Sequence, residues 1–203
     1  MRALLGLAGG IDRITKAFSL VAIWMVLLAA LLSSANAFVR YGLNVVIDLG
    51  RNYLGLTSSL DTLARLYSDN SNGFLEGQWY MFAATVLLGA AWTLKLNEHV
   101  RVDLVYGAVS ERTRTWIDLI GGIFFLVPFC ILMITITIPW FYESWRISEG
   151  SSNAGGLIRW PVKLVLPIGF FLLLLQAISE IIKCYAALTS SYVHEFAYEK
   201  PLQ

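Results

Sequence analysis

Residues 76–106 read EGQWYMFAATVLLGAAWTLKLNEHVRVDLVY, and this stretch decides the fold. From about Trp79 to Leu94 it carries no charge and is apolar enough to cross a bilayer as a helix. From Lys95 onward, Lys95-Leu-Asn-Glu-His-Val-Arg-Val-Asp103 changes abruptly to polar residues interleaved with valine. Such a change marks a membrane surface, because ionised side chains are costly in hydrocarbon. Apolar runs lie on both sides of it.

The composition agrees. Of 203 residues, 57% are hydrophobic and 14% charged, whereas soluble domains carry about 25% charge and about 45–50% apolar residues. The deficit of charge points to lipid as the solvent. A net charge of +1 without a clustered basic face gives no nucleic-acid footprint. Cys130 and Cys184 sit apart in apolar helical stretches, outside any CxxC, and read as buried structural thiols.

Upstream, Arg2, Arg13 and Lys16 stand among small apolar residues, and Phe18 to about Phe38 forms the first uncharged run. About 20 residues suffice for a span. A basic start, an apolar run and Ala35-Asn36-Ala37 also resemble a cleavable signal, but the run is long for one and reads as a retained span. Residues 39–77 form the longest polar segment, an outer-face insertion. Within it Leu49, Tyr53, Leu56, Leu60, Leu63 and Tyr67 recur at helical steps. Gly50 and Gly55 argue against one unbroken helix, so the spacing predicts a short amphipathic interfacial helix over about residues 59–68. A turn at Asp69-Asn-Ser-Asn-Gly73 follows it.

In the second span, Ala83, Ala84, Leu87, Ala90 and Ala91 share one arc. Small residues let helix backbones approach closely, either inside this chain or against a partner. Ser110 is placed to cap a helix with Glu111 in its first turn. The third span covers about 119–141, with Pro128 positioned to kink it and Pro139 near its end. A Ser/Gly-rich loop follows from Glu143 to Arg159. Trp160-Pro161 opens the fourth span, about 164–179, and Glu180 and Lys183 are spaced to pair beyond it. The expected fold is an all-α membrane protein forming one membrane domain. It has four transmembrane helices with short amphipathic interfacial helices.

Trp79, Trp92, Trp116, Trp140, Trp145 and Trp160 lie near span ends, as an aromatic belt requires. Four spans put both termini on one side. Nine basic residues fall on that side and six on the other, with a cluster from Lys95 to Arg114, so the termini are expected in the cytoplasm.

No nucleophile motif or paired carboxylates accompany His99 and His194, so the chain reads as a non-enzyme. Glu98, His99 and Asp103 make only a weak metal-ligand set, and no metal or cofactor is expected in this chain. The spans hold no ionisable residues of the kind a conduit carries. Asn36 and Gln176 read as interhelical hydrogen-bonding residues.

These residues resemble a family, the small membrane subunit (DctQ-like) of tripartite ATP-independent periplasmic (TRAP) transporters. The resemblance rests on Glu76-x-Gln-Trp-Tyr-x-Phe, Leu88-Gly-Ala-Ala, His99-Val-Arg-Val-Asp103 and Trp116-Ile-Asp-Leu-x-Gly121. It continues through Phe125-Leu-x-Pro-Phe129, Ser144-Trp145, Gly155-Gly-Leu-x-Arg-Trp-Pro161-x-Lys163, Leu175-Gln176 and Ser179-Glu180. It covers about residues 17–187 and looks like the subgroup labelled mannitol/chloroaromatic, a branch that includes carriers of 2-oxo acids and other carboxylates. It implies a scaffold subunit of a sodium-coupled importer of an organic acid in the bacterial inner membrane. Its partners would be a large elevator subunit holding the substrate and sodium sites, a periplasmic binding protein, and lipid. It gives no catalytic residues. The junction or interface residues it singles out are Glu76, Trp79, Lys95, His99, Arg101, Asp103, Arg159, Trp160 and Lys163. The segment before Glu76 is longer than in the shortest members. The alternative, a membrane anchor of a redox complex, needs axial histidines within spans if it carries haem, and His99 and His194 lie outside them.

Overall fold

Four helices long and apolar enough to cross a membrane run through residues 1–54, 57–98 and 109–189, the part of the chain that the computed structural model describes. α1 spans Arg2–Leu49 and runs into a π-helical turn, Gly50–Leu54. α2 spans Thr57–Leu96. α3, Glu111–Gly121, continues through a second π-helical turn, Gly122–Leu126, into α4, Val127–Arg146. α5 spans Trp160–Thr189. The described residues contain no strand.

Local chemistry explains the joints. Ser110, in extended conformation, accepts the Thr113 N–H at 3.3 Å and starts α3, as its position before Glu111 predicts. Pro128 has no N–H and its ring crowds the carbonyl four residues back, Phe124. The helix widens into the π-helical turn at that point. α5 lies at the centre and packs against each of the other four helices. Its Gly169 lets α2 approach so closely that a Cβ there would lie 2.8 Å from that of Leu87. Ala22, Ala84, Leu88, Ala91 and Leu172 form the common core of α1, α2 and α5. The small-residue arc of the second span is therefore closed largely within the chain. Cys130 and Cys184 are buried and unbridged.

The segment 39–77 differs from expectation. It bears no separate short helix over 59–68 and no turn at 69–73. α1 continues without a break to Leu49, and α2 runs through residues 69–73 as helix. The short polar side chains that suggested a turn bond back onto their own helix instead. Asn70 Nδ2 donates to the Leu66 carbonyl at 2.8 Å, and Ser71 Oγ to that of Ser68 at 2.9 Å. The Tyr67 hydroxyl ties α2 to α1 by donating to Asn36 Oδ1 at 2.7 Å. At the far end Leu60 is buried against Gly50, where a Cβ would collide with it. The result is a two-helix arm, in which the described leucines and tyrosines of the predicted face divide between α1, the π-helical turn and α2; Leu49, Tyr53 and Leu63 are exposed and Leu60 is buried.

Candidate functional site

Glu76 is the most connected carboxylate at one end of the bundle, and only 4% of it is exposed. It accepts from Asn153 Nδ2 at 3.0 Å, from the Leu157 N–H at 2.7 Å and from Ser151 Oγ. All three donors belong to the loop between α4 and α5. Neighbouring bonds repeat the pattern. Asn72 donates to the Ala154 carbonyl at 2.9 Å, and Tyr80 to that of Ile158 at 3.2 Å. Gly155 makes this docking possible, with φ +67° and a hypothetical Cβ only 1.6 Å from the Asp69 carbonyl oxygen. The Ser/Gly composition of residues 150–156 thus serves a close-fitting plug laid on α2.

The plug is fastened to α5 as well. Lys163, buried, pairs with Glu149 and lies 4.3 Å from the centre of the Trp140 ring. The lysine beside it holds the Glu149 carboxyl below the usual carboxylate range. Arg159 donates to Ser152 Oγ at 3.3 Å, and its N–H bonds the Glu149 carbonyl at 2.8 Å. Trp160 meets Phe141 with ring centres 6.5 Å apart.

A second polar layer lies where the start of α1 meets the end of α5. Lys183 donates to Asp12 and to Glu180. Gln176, fully buried, donates to Asp12 Oδ1 at 3.0 Å and to Glu180 Oε1 at 2.8 Å, and accepts from Thr15 at 2.8 Å. Ser179 adds a donor to Asp12 at 2.9 Å, and Lys95 an ion pair at 3.4 Å. Lys95 also lies 4.5 Å from the Trp92 ring centre. Buried charges are tolerable when paired and hydrogen-bonded in this way.

The two layers are spaced like the faces of a bilayer. Glu76 and Lys95 are nineteen residues apart on α2, about 28 Å at 1.5 Å per residue. Lys163 and Lys183 are twenty apart on α5, about 30 Å. Both match a hydrocarbon core of about 30 Å. Uncharged stretches of α2 and α5 lie between.

Of the residues singled out by sequence, Glu76, Arg159, Trp160 and Lys163 come together in the first layer. Trp79 is exposed near it, and Lys95 belongs to the second. His99, Arg101 and Asp103 lie outside the described residues. The interhelical role of Gln176 and the Glu180–Lys183 pair were expected from the sequence, whereas Asp12, the carboxylate on which they converge, was not. The available signal was a polar stripe in an otherwise apolar helix: Gln176, Ser179, Glu180 and Lys183 at helical spacing, which needed a partner on α1.

Among the described residues no group of three or more His, Cys, Asp or Glu could hold a metal. Residues 60–187 match the family described as tripartite ATP-independent periplasmic transporters, DctQ component. The chain belongs to this DctQ family. No curated protein and no solved structure matches it. As a DctQ component it is a small, non-catalytic membrane subunit of a TRAP-type transporter, associated with a large permease subunit and crossing the inner membrane several times. The matched residues contain the whole first layer, with Glu76, Glu149 and Lys163. They contain only the α2 and α5 side of the second, because Asp12 and the rest of α1 precede them.

Proposed function

We propose that this DctQ component is the static scaffold of a sodium-coupled importer of an organic acid, a 2-oxo acid or C4-dicarboxylate, delivered by a periplasmic binding protein. The observation that carries the reading is the pair of polar layers. Their buried charges find partners within the chain, about 30 Å apart, with uncharged α2 and α5 segments between. A subunit that carried ions or acids itself would need ionisable groups or broken helices at mid-membrane. Substrate and sodium therefore belong to the large subunit, and this chain supplies a rigid wall against which that subunit moves.

The layer of Asp12, Lys95 and Lys183 faces the cytoplasm in this reading, following the basic cluster of residues 95–114. The Glu76 plug then faces the periplasm, where it offers a preformed surface for the binding protein. The connection through His99, Arg101 and Asp103 has a structural role between the second and third spans. The test is uptake by vesicles containing the large subunit and binding protein, with and without this chain. The reading expects a stable complex and loss of uptake when the chain is omitted. A stable, isolated monomer whose removal leaves uptake intact would overturn it.

A further inference from the structure

Trp92 stands at the seam of α1 and α2 with two lysine ammoniums near its ring. Lys95 lies 4.5 Å from the ring centre and Lys16 6.0 Å, within reach of the electron-rich face. Thr85, seven residues before Trp92 and so on the same side of α2, donates to the Ala22 carbonyl at 3.3 Å, which places the ring against α1. Trp92 is half-buried. Lys16 and Arg13, neighbours three apart on α1, are exposed.

The carboxylates of the nearby layer are already taken. Asp12 pairs with Lys95 and Lys183, and Glu180 with Lys183. Lys16 is one turn from Asp12, yet among the described residues neither Lys16 nor Arg13 makes an ion pair. Two cations therefore stand beside a network whose two carboxylates are matched by two ammoniums. The surplus of positive charge favours an anion at this point.

Depth selects the kind of anion. Residues 17–39 carry no charge, so Lys16 is the last cation of α1 before the hydrocarbon. A tryptophan at this level marks the headgroup region. Just inside it Leu20, Ile23 and Trp24 are exposed and offer apolar surface on the side of Lys16. A phospholipid uses both parts, its phosphate at the cations and its chains along the apolar residues. A free anion would use only the first. Basic sites between transmembrane helices take anionic headgroups in this way.

We propose that Arg13 and Lys16, with Trp92 and Lys95 behind them, bind the phosphodiester headgroup of an anionic phospholipid at the seam of α1 and α2. The inference needs only that the Asp12 layer lies at a membrane boundary. It holds whichever way the chain faces and is independent of the scaffold reading.

The test uses the complex with the large subunit in vesicles that contain phosphatidylglycerol or phosphatidylcholine bearing a diazirine near the glycerol end of one chain. After irradiation, lipid adducts on residues 17–27 are measured by peptide mass spectrometry. At equal lipid fractions the yield from phosphatidylglycerol should exceed that from phosphatidylcholine at least about tenfold. Arg13→Ala with Lys16→Ala, both at exposed positions, should remove the difference, and Arg13→Lys with Lys16→Arg should keep it. Arg40→Ala with Arg65→Ala takes the same charge from exposed positions on the arm and should leave the difference unchanged. Equal yields from the two lipids in the wild type overturn the proposal, and loss of the large subunit from the Arg13→Ala, Lys16→Ala variant would then place the cations against that partner. An equal fall in both double-alanine variants also overturns it, because the attraction would be general rather than local. So does competition by inorganic phosphate at constant ionic strength, which would assign the cations to a soluble anion.

Discussion

Lys183 donates to both carboxylate oxygens of Asp12, at 3.1 and 2.8 Å, and so joins the first helix to the last. Asp12 takes further donors from Gln176 and Ser179. Removing the carboxylate would leave a nearly buried ammonium with Glu180 as its remaining hydrogen-bonded acceptor. Asp12→Ala should therefore destabilise the protein by about 3–5 kcal/mol, read as a fall in the thermal midpoint of the purified complex. Asp12→Ala combined with Lys183→Leu should recover part of the loss, because the unpaired charge is gone. A double variant as unstable as the sum of two single losses would show that the pair does not act as a unit.

Glu76→Ala removes the acceptor for three donors of the α4–α5 loop. Hydrogen bonds to a charged group contribute about 1.5–3 kcal/mol each, so without them the loop should come away from α2. Hydrogen exchange at residues 151–157 should speed up sharply, while exchange in α5 stays slow. Gly155→Ala should give the same signature, since its Cβ would overlap the Asp69 carbonyl. Protection at wild-type levels in both variants would mean the plug is held by other contacts.

The pairing of Glu149 with Lys163 sets a pH dependence. The Glu149 carboxyl titrates below its ordinary 4.5 because Lys163 stabilises the ionised form. A carboxylate with a lowered folded-state value contributes its full stabilisation above the unfolded value and loses it only as pH falls through the lower one. Tryptophan emission, sensitive to Trp140 over Lys163, should stay constant as pH is lowered past 4.5 and change only below it. Glu149→Gln should abolish that transition. A transition centred on the ordinary value would show that the pair is absent in solution.

The spans and their order were legible because hydropathy alone marks segments that must satisfy their backbone internally. The arm was not. Gly50, Gly55 and the run Asp69–Gly73 carry local turn signals, yet Asn70 and Ser71 spend their side chains on helix carbonyls, and Tyr67 holds α2 to α1. Tertiary contact overrode local preference there. At the site, Glu76 and Lys163 stood out by their motifs, but their common partner, the loop, is a matter of three-dimensional fit. The charge of Asp12 is hidden in sequence for the same reason. Its hydrogen-bond donors Gln176, Ser179 and Lys183 are 164 to 171 residues away.

The proposed placement of the Asp12 layer on the cytoplasmic side predicts a sidedness that labelling can check. Ser152 and Glu111 are exposed at opposite ends of the bundle. In a background lacking Cys130 and Cys184, Ser152→Cys should react with an impermeant thiol reagent applied to the periplasmic side. Glu111→Cys should react only after the membrane is permeabilised. The reverse pattern would invert the topology.

The central claim is that this subunit stays rigid while its partner transports. Ala22 on α1 and Gly89 on α2 face each other in mid-span, and a Cβ at Gly89 would lie 3.8 Å from that of Ala22. Disulfide-bonded cysteines commonly have a Cβ separation of about 3.8 Å. Ala22→Cys with Gly89→Cys, in the same cysteine-free background, can therefore lock α1 to α2 by oxidation within the assembled complex. Uptake of the substrate by reconstituted vesicles should be the same before oxidation, after it and after reduction. Uptake that collapses on oxidation and returns on reduction would contradict the account, because it would make motion within this chain part of the transport cycle.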